Sequence, residues 1–289
     1  MTMAALHSVN SVALVVKEGN LAGEAACEQV SQWLRARDVP FSLSRHPAQD
    51  IATTLLPGAD LVLVFAGDGT MVSVARQCID LGIPVAGVNF GRVGFLAELS
   101  EDSWQEALDA VLAGGLIVDE RLSLKFSHFR DGELMHSGEV VNDVVVTRGK
   151  VARLISLQLS VNGDPFLTLR SDGLIFSTPT GSSGYAGSAG GPLMLPTMHA
   201  YVVAAICPYL GSFPPLVLEP ETVFSVRVGE GAADVYLTLD GQEAYALEEG
   251  DELRVSGVPG RVRMANFGLQ SFFSRLLQAG FAQETKRHL

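Results

Sequence analysis

The pattern of apolar residues changes once along this chain of 289 residues, near Leu116. Before that point, short apolar runs alternate with segments of helical spacing. This order is typical of an α/β domain in which helices cover a parallel sheet. The predicted strands are Val12–Val16, Leu61–Phe65 and Ile83–Val88, and the predicted helices are Leu21–Arg37, Met71–Leu81 and Ser103–Leu112.

After Leu116 the chain reads as short strands separated by turn signals such as Asn162-Gly163-Asp164 and Asp240-Gly241. We expect a β-rich domain here, and then a helix in Leu269–Phe281, capped by Ser271, that packs on the first domain. The predicted organisation is an α/β domain at 1–118, a β-rich domain at 119–265 and a returning helix at 266–289. The predicted strands of the second part are Leu122–Phe129, Glu139–Thr147, Leu154–Val161, Phe166–Leu169, Leu174–Phe176, Val223–Val228, Val235–Leu239, Leu253–Val255 and Val262–Met264.

The charge balance excludes one class of partner. With 20 Lys and Arg against 32 Asp and Glu, a formal net charge of −12, the chain lacks the basic surface that nucleic acids select. Its three cysteines form no CxxC pair, which argues against a disulfide framework and favours a reducing cytoplasm. No apolar stretch is long enough to span a bilayer, so we expect no membrane partner.

A long stretch of small residues follows the apolar run Leu174–Phe176, within the segment from Asp172 to Pro192. Gly and Ser add little apolar area and cost backbone entropy to order. Their N–H and hydroxyl groups, together with Tyr185, offer hydrogen bonds and a flat face to a ligand. A glycine-rich hairpin is the structural alternative, but the length of the segment favours a binding loop.

The sequence Gly67-Asp68-Gly69-Thr70 directly follows a predicted strand and begins a predicted helix. Ligands of α/β sheets bind at the carboxyl ends of strands, and a helix N-terminus there attracts phosphate. The segment is neither a Walker A loop nor a GxGxxG fingerprint, and in the alternative interpretation Asp68 only caps a turn. Because a second glycine-rich segment, Gly87–Leu96, follows the next strand, we expect one shared site.

Taken together, these motifs resemble the NAD kinase family, and the resemblance extends through most of the chain. Its Gly-Asp-Gly-Thr element is shared with lipid kinases, whereas the Asn142-Asp143 pair and the Thr-Pro-Thr-Gly-Ser segment are more specific. The resemblance implies an NAD kinase/diacylglycerol kinase-like two-domain architecture. It also implies transfer of the γ-phosphoryl group of ATP to the 2′-hydroxyl of the adenosine ribose of NAD, giving NADP. The residues that carry it are Gly67-Asp68-Gly69-Thr70 with Ala75-Arg76, Gly91–Leu96, Asn142–Val146, Asp172–Pro192 and Asp240-Gly241-Gln242.

The resemblance also implies site residues. Asp68 would be the general base and would lie with Gly69 at the ribose, and Phe95 would contact the nicotinamide end. Asn142 stands in a predicted strand, where a turn does not explain it, whereas Arg153 and Arg170 are explained equally well as surface charges. The implied dinucleotide-binding residues are Asn142, Asp143, Arg153, Arg170, Asp172, Ser183, Gly184, Tyr185, Ala186, Gly187, Ser188 and Gln242.

Two other functions stay open from the residues alone: a lipid kinase, and a dinucleotide sensor without turnover. The resemblance further implies Mg²⁺ or another divalent metal, held mainly by donor phosphates because the sequence shows no ligand cluster. It implies NAD and ATP as substrates, with polyphosphate as another possible donor, and a homodimer or homotetramer. Ala66 replaces a family glycine, which matters only if its φ is positive. The apolar residues offered for subunit contacts, or alternatively for the core, are Met194, Leu195, Met198, Tyr201, Tyr209 and Phe213.

Overall fold

The computed structural model describes residues 6–46, 58–89, 94–150, 153–211, 213–231, 234–269 and 271–281. The chain forms two compact units, Met1–Asp119 with Arg263–Leu289 and Glu120–Val262. The helices are α1 Leu21–Arg35, α2 Asp68–Gln77, α3 Trp104–Gly114, α4 Tyr185–Ser188 and α5 Phe272–Gln278. The strands are β1 Val12–Lys17, β2 Phe41–His46, β3 Leu61–Phe65, β4 Val85–Asn89, β5 Leu99–Ser100, β6 Ile117–Arg130, β7 Glu133–Val140, β8 Asp143–Arg148, β9 Ile155–Val161, β10 Asp164–Ser171, β11 Gly173–Ser177, β12 Tyr201–Ile206, β13 Leu216–Leu218, β14 Phe224–Val228, β15 Val235–Leu239, β16 Glu243–Leu247 and β17 Glu252–Asn266.

The first unit is built on a parallel sheet in the order β4-β3-β1-β2, with β5 parallel to β4. Strands β1 and β3 are almost wholly buried because both of their faces are covered, as their continuous apolar runs predict. Helices α1 and α3 pack into the same core, where Trp33 and Trp104 meet edge to face at 5.7 Å. The predicted α/β domain is therefore confirmed.

Several elements of this unit differ from the prediction in their bounds or were not predicted. Helix α1 ends two residues early, at Arg35, and α2 begins at Asp68, three residues before the predicted start. Strand β2 was not predicted, because its sequence Phe-Ser-Leu-Ser-Arg-His is half polar. It lies at the sheet edge, where one neighbour and a partly exposed face tolerate such residues.

The second unit consists of two antiparallel sheets that share one apolar core. One sheet contains β10-β9-β14-β17 with β6 and β7, and the other has the order β13-β12-β11-β8-β15-β16. Side chains of both sheets meet in the core, as Phe176 and Phe224 do at 5.5 Å. The tight turns at Asp131, Asn162 and Asp240 have φ of 50°, 52° and 51°, as the turn signals indicated. The predicted β-rich architecture is confirmed.

Several strand predictions in this unit were wrong in detail. The predicted strand Glu139–Thr147 is two strands, β7 and β8, and two predicted strands near the end are one, β17. Strands β12, β13 and β16 were not predicted. Of the apolar residues offered for subunit contacts, Met194, Tyr201 and Phe213 are buried in the unit. Leu195, Met198 and Tyr209 are 42%, 41% and 52% exposed, so only these three of the six are at the surface.

None of the helices in the described part of the chain has the length and hydropathy of a membrane span.

Candidate active site

Asp68 is the first residue of α2 and follows the buried strand β3 after two residues. Its Oδ2 atom accepts a hydrogen bond from the Phe95 N–H at 2.7 Å, and its Oδ1 atom accepts one from the Leu96 N–H at 3.3 Å. The carboxylate thus joins the two glycine-rich segments that follow β3 and β4, which are neighbours in the sheet. It does not close its own turn.

The segment after β4 lies very close to the Asp68 carboxylate. A Cβ atom at Gly94 would overlap Asp68 Oδ1, so only glycine allows the segment after β4 to lie against the carboxylate. Gly69 is exposed, with open space where a side chain would begin. Ala66 is not among the residues with positive φ, so its replacement of a glycine carries no backbone strain. Residues 90–93 of the predicted segment lie outside the described residues.

The sequence predicted that Asn142 lies within a strand. In the second unit it lies outside any strand. It lies in a bend between β7 and β8, because the Asp240 carboxylate accepts hydrogen bonds from the N–H groups of Val141, Asn142 and Asp143, at 3.1, 2.7 and 3.1 Å. These three N–H groups do not donate to a neighbouring strand, so the strand pairing is interrupted at this point. Asp240 was part of the recognised motif, but no role had been assigned to it.

The loop after β11 packs directly on this bend. Thr178 N–H donates to the Asn142 carbonyl at 2.9 Å, and Thr178 Oγ1 donates to the Val141 carbonyl at 2.7 Å. A Cβ atom at Gly181 would overlap the Asn142 carbonyl group. Within the described part of the chain, the Oδ1 atom of Asn142 and the Oγ1 atom of Thr180 are buried without a hydrogen-bond partner. A polar ligand that reaches them would remove the free-energy cost of that burial.

The carboxyl of Asp143 has a strongly raised pKa. Burial, and then the charge of Asp240, raises the pKa of its carboxyl from 3.8 to about 7. Because the shift places titration near neutral pH, this carboxyl can either donate or accept a hydrogen bond under ordinary conditions.

Asp172 is held by a residue that the sequence analysis missed. Arg148, at the end of β8, donates from Nε to Asp172 Oδ1 at 2.6 Å and from Nη2 to Oδ2 at 3.2 Å. The hydrogen bond to Asp172 is the main cause that raises the pKa of Arg148. Such a two-pronged pair fixes the plane of the carboxylate. The sequence could have indicated Arg148, because it is a basic residue at the end of a strand that contains three consecutive valines.

The remaining predicted residues lie along the loop and on the surface of the second unit. Ser183 ends a short 3-10 helix, Gly184 follows it, and Tyr185, Ala186, Gly187 and Ser188 form α4. Tyr185 is 46% exposed, whereas Ala186 is fully buried. Arg153, Arg170 and Gln242 are exposed, and the Arg170 guanidinium lies 5.4 Å from the Tyr209 ring centroid.

The same part of the chain that the structure describes contains no group of three His, Cys, Asp or Glu side chains close enough to hold a metal ion.

Comparison with known proteins agrees with this arrangement. A family model described as ATP-NAD kinase N-terminal domain matches residues 11–116, and one described as ATP-NAD kinase C-terminal domain matches residues 141–267. The NAD kinase of Nitratidesulfovibrio vulgaris strain Miyazaki F is 43% identical over 96% of this chain and 98% of its own length. The NAD kinase of Geobacter sulfurreducens is 36% identical over 93% of this chain and 97% of its own length.

Two solved structures share the fold. Yeast NADH kinase, complexed with NADH, has a TM-score of 0.74 at 22% identity and covers 92% of this chain and 86% of its own. An NAD kinase from Archaeoglobus fulgidus in complex with ATP has a TM-score of 0.71 at 25% identity, over 92% of this chain and 96% of its own.

The fold and the two matching family models therefore define a two-domain kinase of dinucleotides. The chain belongs to the NAD kinase family. It is an enzyme that phosphorylates NAD.

Proposed function

We propose that Asp68 is the general base for the 2′-hydroxyl of the adenosine ribose of NAD, with ATP as phosphoryl donor and NADP as product. The observation that carries this proposal is the fixed Asp68 carboxylate, bound by two main-chain N–H groups at 2.7 and 3.3 Å at the end of a parallel strand. Each oxygen keeps a second lone pair that is free to accept a hydroxyl proton. Gly69 leaves room beside it for the ribose.

Phosphoryl transfer to a ribose hydroxyl does not require Asp68 to be a strong base. A ribose hydroxyl is a weak acid, and the transition state of phosphoryl transfer is loose. The carboxylate therefore first orients the hydroxyl oxygen toward the phosphorus and accepts the proton late. The N-terminus of α2 starts at the same residue, and the helix dipole favours a phosphate nearby.

We assign the second unit the binding of the dinucleotide. The buried oxygens of Asn142 and Thr180 support this assignment, because both lack a partner among the described residues. Asp143, beside Asn142, and Asp172, fixed by Arg148, offer further hydrogen bonds to ribose or amide groups. Ser183 to Ser188, with the half-exposed Tyr185, supply a flat face for the adenosine. Phe95 at the nicotinamide end, and Arg153, Arg170 and Gln242 as further contacts, rest on the family resemblance alone.

The described residues form no protein cage for Mg²⁺. We therefore expect a divalent metal to bind through the phosphates of the donor, as Mg²⁺ does in many kinases. When bound, it neutralises charge on the phosphoryl group. ATP and polyphosphate both carry the phosphate groups that would bind this metal.

We further propose a homodimer or homotetramer that acts in the cytoplasm. The exposed side chains of Leu195, Met198 and Tyr209 support an assembly, because they leave apolar surface next to the binding loop. The free thiols of Cys27, Cys78 and Cys207 fit a reducing compartment. Light scattering of the active enzyme tests the assembly, and a monomer with full turnover contradicts it.

Replacement of Asp68 by Asn tests the catalytic role. The amide keeps the shape but is a poor base, so we expect kcat to fall by roughly 10²- to 10⁴-fold with NAD affinity retained. A coupled assay of NADP formation measures kcat, and calorimetry measures NAD binding. The matched control is Asp109→Asn, a surface carboxylate of the same unit. Near-normal kcat in Asp68→Asn contradicts the assignment.

A further inference from the structure

We propose that the buried ion pair between Glu98 and Arg275 is a positioning device for Asp68. The pair joins helix α5 to the segment whose N–H groups hold the Asp68 carboxylate. It does not touch Asp68, so its effect on turnover is indirect. The inference rests on the proposed role of Asp68 as the base.

One side of this segment is fixed by the sheet. Leu99 pairs with Val88 of β4, and Ala97 lies against Gly87 so closely that a Cβ atom there would be 2.8 Å from Ala97 Cβ. The same added atom would lie 2.6 Å from Met71 Sδ on helix α2. The residues just after Leu96 thus have no room to move toward β4.

The other side is fixed by the C-terminal helix. Arg275 Nη1 donates to Glu98 Oε1 at 2.6 Å, and the Phe267 N–H donates to Oε2 at 3.1 Å. The Phe95 ring meets the Phe272 ring at 5.7 Å. Both charged residues are 8% exposed. Phe273 of this helix is 66% exposed, and Arg275 is the buried residue of the helix.

Helix α5 has only seven residues, so it is not stable on its own and depends on these contacts. Among the residues that the structure describes, this is the ion pair that ties the helix to the segment, two residues after Leu96. Without it, the Phe95 and Leu96 N–H groups would hold the Asp68 carboxylate less firmly. Because a displacement of about 1 Å can lower a rate by roughly 10²-fold, a loose carboxylate reduces turnover while substrate binding is kept.

The test removes both charges together in Glu98→Gln/Arg275→Met. Removal of one partner leaves an unpaired buried charge and destabilises the fold, whereas removal of both is often close to neutral. We expect kcat to fall roughly 10- to 100-fold, with KM for NAD and ATP and the Tm near those of the wild type. Arg275→Lys, which keeps the charge, should recover most of kcat. A kcat within about twofold of the wild type in the double variant overturns the proposal.

A second arm separates positioning from general structure. In the Asp68→Asn background, removal of the pair should cause no further loss, because the group it positions is gone. An additional loss of the same size shows that the pair acts independently of Asp68 and overturns the inference. If Asp68→Asn itself keeps its turnover, the proposed base is wrong. If it loses turnover while the pair variant does not, only the positioning role is wrong.

Two further variants complete the design. The exposed pair Arg37 and Asp109 of the same unit provides the matched control, Arg37→Met/Asp109→Asn, which should keep wild-type kcat. If the Glu98 and Arg275 double variant does not fold, Glu98→Gln/Arg275→Gln removes both charges and keeps side chains that can still hydrogen-bond to each other. It should lower kcat severalfold with unchanged NAD affinity, and an unchanged kcat overturns the proposal.

Discussion

Asp143→Asn should make the protein more resistant to unfolding at neutral and alkaline pH. The substitution removes an ionisable carboxyl and keeps its shape. The Asp143 N–H still donates to Asp240, so the bend between β7 and β8 is preserved. What changes is the free energy needed to keep a charge at this buried position.

The magnitude follows from the shift in pKa. Burial and the charge of Asp240 raise the pKa of Asp143 from 3.8 to about 7 in the folded protein. Between these values the unfolded chain ionises while the folded chain keeps its proton. The free energy of unfolding of the wild type therefore falls with rising pH, by about 1.4 kcal/mol per unit. The loss is absent below about pH 4 and reaches about 4 kcal/mol above about pH 7.

Urea unfolding of wild type and variant, without nucleotide and at one protein concentration, measures this difference. We expect the advantage of the variant to be larger by about 3 kcal/mol at about pH 8 than at about pH 5. Any fixed cost of burying the new amide is the same at both values, so the change with pH is the diagnostic quantity. Asp164→Asn, at the exposed start of β10, is the control and should show no such change. A difference that does not vary with pH refutes the reasoning.

The remaining predictions concern one structural group and two binding groups. In Asp251, burial raises the pKa, but hydrogen bonds from Arg130, the Glu248 N–H and His128 outweigh it and lower the pKa to about 2. The stabilisation from Asp251 is present above about pH 4 and is lost as the pH falls through about 2. Asp251→Asn should therefore lower the free energy of unfolding by about 2 kcal/mol at neutral pH. Equal stability of wild type and variant in denaturant titrations would contradict this prediction. Asn142→Ala and Tyr185→Ala should each weaken NAD binding by roughly 1 to 3 kcal/mol, and calorimetry that shows unchanged affinity in both removes them from the site.

The fold class could be predicted because the strongest patterns are local. The apolar runs of β1 and β3 are buried on both faces, and nothing else in the chain is needed to recognise them. Strand β16 was missed for the opposite reason. Its residues are mostly exposed at a sheet edge, so pairing with β15 makes the strand rather than its own apolar content.

The sequence proposes candidate site residues but not how they are arranged. The break before β8 depends on Asp240, which is about 100 positions away in the sequence, and no local pattern reveals it. The partner of Glu98 is 177 positions away, and the pairing of Arg148 with Asp172 spans 24. Such contacts are set by sheet order and packing, which a single sequence does not specify.

The close contact between Gly181 and the Asn142 carbonyl limits how this enzyme can be redesigned. A side chain at Gly181 would overlap backbone atoms, which cannot rotate away. A Cβ atom added at Gly187 would likewise lie only 2.8 Å from the Ser182 carbonyl oxygen. Saturation libraries at these two positions should return almost only glycine. Tyr185 and Ser188 are exposed, so the fold should tolerate many side chains at both positions. Efforts to change substrate preference should therefore vary these two exposed positions and leave the loop backbone as it is.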